Sequence, residues 1–402
     1  MSERPVVSSV PDSVFDTARA TRMRDVLAER GATAFVHAGT LEDPTVRFAL
    51  QAGSDSCLDD DALESPTRLQ SGTVYAVGFD GERWHSVSKP PRDGGDHPSQ
   101  ILAELLLEDG TTDAGAMETC SRLLTPAHIP HDAALYLEGA GFELASSDAL
   151  SRLRVRKTEP ELAAIERAQL AARTGLERAM SLLERADFGI ESASDTGEAT
   201  LVLEDAPLTA DRLERALEVG VLEAGGRPVS SRVVWPGANG GTNSPQTAAL
   251  PAGGPLIITV ESSDAGYHGR QTRTLVADPD GGPERRAHIG LTHGFRSVQS
   301  LLTAGEATVG TVEADLEAEI RAFGFDETAA IDVQVGGIGL ERLERPLQAG
   351  STIERRSPVV VDASLETDVG RIRIADVIVR AEDGERARWL SPASRSLVPN
   401  NG

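Results

Sequence analysis

Cysteine is nearly absent: Cys57 and Cys120 are the only two in 402 residues. That excludes a disulfide framework and a cysteine-built zinc site. Lysine is as scarce, because of 39 basic residues only Lys89 and Lys157 are lysines. No apolar run reaches the ~18 residues that span a bilayer, so no membrane partner is expected. The start, MSERPVVSSVPDSVFD, lacks a charged stretch followed by an apolar one, so it is not a secretory signal, and the expected location is cytoplasmic. A basic surface is missing too. Asp and Glu total 63 against those 39 basic residues, a net charge of −24, which argues against nucleic acid as a partner.

What is present is acid and enough apolar material for a core. A dense acidic coat with almost no lysine suits a halophilic protein, since a Debye length of about 3 Å at molar salt screens the self-repulsion. With 402 residues, 40% of them apolar, the chain is expected to be globular with two domains.

The first domain is expected over 1–154. Arg19 to Arg30 reads as an amphipathic helix, ATAFVHAG as a strand, and TVYAVGFDGERWHSVS as a hairpin turning at Asp80-Gly81. KPPRDGGDHPS is a loop by composition. The alternation of helix and strand signals indicates a small α/β domain.

The second domain is expected over 155–402. RVRKTEPELAAIERA carries a capping-box pattern, Thr158 with Glu161, and Pro160 in the first turn. A long helix should follow to about Ala186, with Leu162, Ile165 and Ala172 near one face. ESASDTGEATLVLEDAP reads as a surface insertion. TADRLERALEVGVLEAGG is a second helix, with Leu213, Leu217 and Val221 aligned. Strands are expected near 255–262 and 271–277, helices near 284–303 and 311–322, then strands in SPVVVDASL and GRIRIADVIVR.

Four blocks, in order, carry a family resemblance. They are RVRKTEPELAAIERA, GANGGTNSPQTAALPAGGPLIITVESSDAGYHGRQTRTLV, VGGIGLERLERPLQAG and GRIRIADVIV. Together they resemble the creatinase, prolidase and methionine-aminopeptidase family. The resemblance implies an α/β N-terminal domain followed by an α+β pita-bread domain. It also implies two divalent metals (manganese, cobalt or zinc) held by two Asp, one His and two Glu, a site in which hard carboxylate oxygens make a bridging water acidic enough to attack. A homodimer is implied by the same analogy.

Carried over position by position, those ligands are missing. The first Asp falls on Thr259 and the second, eleven residues on, falls on Arg270. The His falls on Gly336, the first Glu on Arg356 and the last Glu on Ala375. With a gap in the alignment, Glu354 or Asp362 could come to the first Glu position. The two histidines that assist catalysis in the family fall on Asn243 (or Ser244) and Leu343, so a metal-free creatinase-type route has lost its base as well. No metal cofactor is therefore expected.

Other candidates remain. Tyr267, His268, Arg270 and Arg273 surround the Gly-Tyr turn and are the candidate binding residues. Arg273 is expected to pair with a carboxylate inside the fold, and His268 to be a surface or turn residue. His288 and His293, five apart on an expected helix, do not share a face and should be solvated. VGGIGL is followed by no helix start, so it is no phosphate loop. The expectation is an Xaa-Pro aminopeptidase-like pseudopeptidase acting as a binding or interaction module. The charge of Arg270 would either be neutralised internally, by Glu261, Glu354 or Asp362, or receive a partner, a peptide or small anionic ligand. The alternative is a hydrolase with a rebuilt or metal-free site.

Overall fold

The computed structural model describes residues 7–9, 17–52, 72–89, 96–108, 121–190, 199–236, 249–276, 281–382 and 384–399. The chain divides into two compact units, Met1–Arg154 and Val155–Gly402.

The first unit contains strands β1 (Val7–Ser9), β2 (Ala34–Gly39), β3 (Val74–Phe79), β4 (Trp84–Lys89), β5 (Arg122–Thr125) and β6 (Glu143–Ser146). Its helices are α1 (Thr17–Arg30), α2 (Pro44–Ala52), α3 (Pro98–Glu108), α4 (His131–Gly139) and α5 (Ala149–Leu153). The strands form one mixed sheet in the order β1-β4-β3-β2-β5-β6. Alternate residues Val36, Ala38, Ala76 and Val87 point into a core completed by Leu102, Leu106 and Leu137. Asp80 makes the β3–β4 turn work. Its Oδ1 accepts the N–H groups of Glu82 and Arg83 at 2.7 and 2.8 Å, and its Oδ2 lies 2.6 Å from His85 Nε2. Gly81 takes the left-handed φ of +97° that the turn needs. Asp43, ahead of α2, does a parallel job with Thr45, Val46 and His37.

The second unit begins with α6 (Glu159–Glu184), then β7 (Asp187–Ile190), β8 (Ala199–Leu203), β9 (Ala206–Pro207) and α7 (Ala210–Glu223). The capping box at Thr158 and Glu161 is formed, with the Thr158 N–H 2.6 Å from Glu161 Oε2. The segment expected to be a surface insertion is in part a buried strand. Leu201 and Leu203 of β8 are 1% and 2% exposed, and β8 joins β7 and β9 in a small sheet. Apolar alternation in ATLVL outweighs the polar residues around it; residues 191–198 lie outside the described residues.

The main sheet uses β10 (Arg227–Val234), β11 (Pro255–Asp264), β12 (Tyr267–Val276), β13 (Ile331–Gly337), β14 (Pro358–Thr367), β15 (Gly370–Val379) and β16 (Arg388–Trp389). Helices α8 (Pro283–Ala304) and α9 (Val309–Arg321) lie between β12 and β13 in sequence. The order is β10-β11-β12-β15-β14-β13, with β16 beside β15, and every pairing is antiparallel. Both helix pairs cover the same sheet face. Leu176, Leu213 and Leu217 of α6 and α7 pack on Ile258 and Val260 of β11. Phe295 and Leu316 of α8 and α9 pack on Val361 and Ile374. Each such side chain, fully buried, contributes roughly 1.5–3 kcal/mol. The α6–α7 crossing depends on Gly175 and Gly220, since a Cβ on Gly220 would stand 2.7 Å from the Gly175 Cα.

The 2-residue period of a strand sends alternate side chains to the other face, away from the helices. One row there crosses the sheet in register: Arg232, Thr259, Thr272, Ala375, Asp362 and Gln334. Elsewhere in this unit buried Lys157 is paired with Glu344, and a Cβ on Gly339 would run into both.

Candidate functional site

The β11–β12 hairpin sets the site. Ala265 and Gly266 both adopt left-handed φ, +47° and +80°, as a two-residue turn of type I′ requires. The tight turn fixes an unbroken ladder from Asp264–Tyr267 back to Pro255–Val276. Thr259, Glu261, Arg270 and Thr272 are thereby placed on one face, with the two threonine hydroxyls 3.0 Å apart.

Arg270 reaches over β15 to Asp362 on β14, with Nη2 2.7 Å from Oδ2. On the intervening β15 the residue directly cross-strand from Asp362 is Ala375, fully buried and carrying only a methyl group. Arg373 grips the same carboxylate from β15, Nε to Oδ1 at 2.8 Å and Nη2 to Oδ2 at 2.7 Å. This bond to Asp362, more than any other cause, raises the Arg373 guanidinium above its ordinary pKa. On its other side Arg270 Nε stands 3.7 Å from Glu261 Oε1, an ion pair too long to be a hydrogen bond. Glu261 Oε2 is met by Arg342 Nη1 at 3.1 Å. The charges thus alternate along a chain: Arg342, Glu261, Arg270, Asp362, Arg373.

No family profile matches the sequence, and no curated protein matches it either. Solved structures do. A prolidase from Pyrococcus horikoshii is similar over 95% of this chain and 100% of its own, with TM-score 0.66 and 16% identity. The dipeptidase PepE from Mycobacterium ulcerans is similar over 97% of this chain and 99% of its own, at TM-score 0.65 and 17% identity. The fold is that of the prolidases. The N-terminal domain of the FACT complex subunit SPT16 from chickpea, Cicer arietinum, shares it as well. That match covers 97% of this chain and 99% of the other, at TM-score 0.62 and 14% identity.

In this prolidase fold, two dications would need a set of free oxygen ligands on the row through Thr259 and Ala375. Among the described residues no group of three or more His, Cys, Asp and Glu could hold a metal ion. Asp362 is the one carboxylate on the row, and both its oxygens are taken by guanidinium groups. A dication 4 Å from one of those cations would be repelled by about 8 kcal/mol at an effective dielectric of 20. The residues do not fit the metals.

The position expected at Arg356 needs correction. Arg356 is not on the sheet; it lies in the turn before β14 at φ +58° and pairs with Glu159 at 2.8 Å. Asp362, cross-strand from Ala375, occupies the place on the row. On that row Asp362 is the single acid; Glu261 lies on the same face, beside Arg270. Gly336 is closed by packing: a Cβ there would come within 2.5 Å of Leu343 Cδ1 and 3.1 Å of Leu347 Cδ2. Leu343 thus occupies the volume that a side chain at 336 would need. Asn243 and Ser244 lie outside the described residues.

Two of the remaining candidates, Tyr267 and Arg273, are turned inward. Tyr267 is buried and donates its hydroxyl to Glu161 Oε1 at 3.0 Å, tying the hairpin to the start of α6. The His268 backbone N–H donates to the Gly339 carbonyl at 2.8 Å, and its half-buried ring lies on the same strand face as Arg270, two residues away. Arg273 is 1% exposed, with Nη2 2.7 Å from Asp376 Oδ1 and further bonds to the carbonyls of Thr272, Ala375, Ala393 and Ser394. Burial lowers its guanidinium pKa, against the opposing charge of Asp376. Of the two α8 histidines expected to be solvated, only His293 is exposed, 3.1 Å from Glu319. His288 is half-buried, and that burial lowers its pKa. The Arg395 backbone, by a hydrogen bond, and the Arg273 charge act on it.

Proposed function

We propose that this chain is a prolidase-fold protein without peptidase activity, retained as a binding module. The observation that carries the reading is the Asp362 carboxylate, whose two oxygens are saturated by Arg270 and Arg373. Hydrolysis on this fold face would need free oxygens for metal, or a base poised by the substrate. Thr259, Ala375, Gly336 and Leu343 offer neither. The chickpea structure supports the reading indirectly, since that protein is a subunit of a complex. The acidic, lysine-poor composition supports placing the protein in a cytoplasm of high salt.

The test is hydrolysis of Xaa-Pro dipeptides in high salt, with manganese and with a chelator. No turnover above background is expected under either condition. Manganese-dependent turnover would overturn the reading. Turnover that survives the chelator and is lost in Arg270→Asp would make the protein a metal-free hydrolase.

A further inference from the structure

The acids of the charged chain lie beneath its arginines. The side chains of Asp362 and Glu261 are 6% and 12% exposed, against 20%, 32% and 55% for Arg270, Arg373 and Arg342. What the face presents outward is guanidinium, on a protein of net charge −24. Asp332, exposed at the sheet edge, is the further acid acting on Arg373.

Each guanidinium offers five N–H groups in a planar fork that matches a carboxylate. The internal contacts use only part of them: Nη2 of Arg270, Nε and Nη2 of Arg373, and Nη1 of Arg342. Arg270 Nε is buried and makes no hydrogen bond. Beside the arginines stand two apolar side chains that water does not favour. Leu343 and Leu347, each 44% exposed, follow Arg342 in sequence and pack over Gly336.

We propose that this face binds the free carboxylate of a ligand with an aliphatic body, such as a peptide ending in an aliphatic residue. This rests on the reading of the protein as a binding module. The carboxylate lies across the outward edges of Arg342, Arg270 and Arg373, and the aliphatic part covers Leu343 and Leu347. Arg342, the most exposed of the three, closes on the ligand. The apolar pair selects against inorganic anions, which would leave it uncovered.

The experiment titrates the full chain in potassium chloride with N-acetyl-leucine, its amide and inorganic phosphate, read by calorimetry. N-acetyl-leucine should saturate one site, with the amide and phosphate at least tenfold weaker. Arg342→Gln and Leu347→Ser alter exposed side chains, and each should weaken N-acetyl-leucine tenfold or more. No saturable binding would overturn the proposal, as would equal binding of phosphate or affinity unchanged in both variants. Peptide hydrolysis in the assay above would overturn the functional reading alone, since N-acetyl-leucine contains no Xaa-Pro bond to cleave.

Discussion

Arg270 Nη2 sits 2.7 Å from Asp362 Oδ2, although β15 runs between their two strands. Two strand spacings, about 10 Å, are bridged by one long side chain. The bond crosses the seam between β12 and β15, joining the β10–β12 half of the sheet to the β13–β15 half. Arg270→Asp should therefore cost about 3–5 kcal/mol of stability, because it adds a poorly solvated carboxylate beside Asp362 and Glu261. Arg270→Met should cost less, leaving Arg373 to satisfy Asp362. Chemical denaturation of the two variants checks this; equal stabilities would show that the bridge contributes nothing.

Metal should not be retained. After dialysis against manganese, cobalt or zinc and then buffer, elemental analysis should find well under one ion per chain. Restoring ligands at Thr259→Asp, Arg270→Asp, Gly336→His and Ala375→Glu should still fail while Leu343 fills the volume beside 336. Adding Leu343→Ala should give metal-dependent thermal stability. Two tightly held ions in the wild type would refute the geometric argument.

Acid should act in two steps. Burial lowers the His288 pKa, so its stabilising contribution is complete above the unfolded value of about 6.5 and is lost as pH falls through the folded one. Burial raises the pKa of Asp43 and of Asp80, but the hydrogen bonds from His37 and His85 and from nearby backbone N–H groups outweigh it. Their net pKa values are depressed, so that contribution is complete above about pH 4 and disappears below it. His288→Gln should flatten the upper limb of a stability–pH curve, and Asp80→Asn the lower. An unaltered curve in both variants would contradict the assignment.

Salt should stabilise. Raising potassium chloride from about 0.2 M to about 3 M shortens the Debye length severalfold and should raise the melting temperature by well over ten degrees. A flat melting temperature across that range would count against the halophilic reading of the acidic coat.

Much of this site is legible in the sequence. Glycine and tyrosine at the turn fix the hairpin register, so Thr259 and Arg270 could be placed by counting, and Ala375 by its strand. Arg356 could not. It stands in an irregular segment whose length no periodicity constrains, and the residue on the row, Asp362, lies six positions on. Arg373 is two residues before Ala375 and could have been found from the strand period alone. Arg342 could not, because its contact with Glu261 depends on the path of a segment that is neither helix nor strand. β8 was hidden for a related reason: five apolar-rich residues inside a polar stretch are read as loop unless their partners are known.

The burial of Lys157 turns the shortage of lysine into an instrument. The only side-chain amines an acylating reagent meets are Lys89, partly exposed on β4, and Lys157, which is 3% exposed and held by Glu344. In the native protein Lys157 should acylate at a rate set by how often the start of the second unit opens locally, with the more exposed Lys89 as the internal reference. The ratio of the two, read by mass spectrometry, is a clock for local opening that needs no engineered probe.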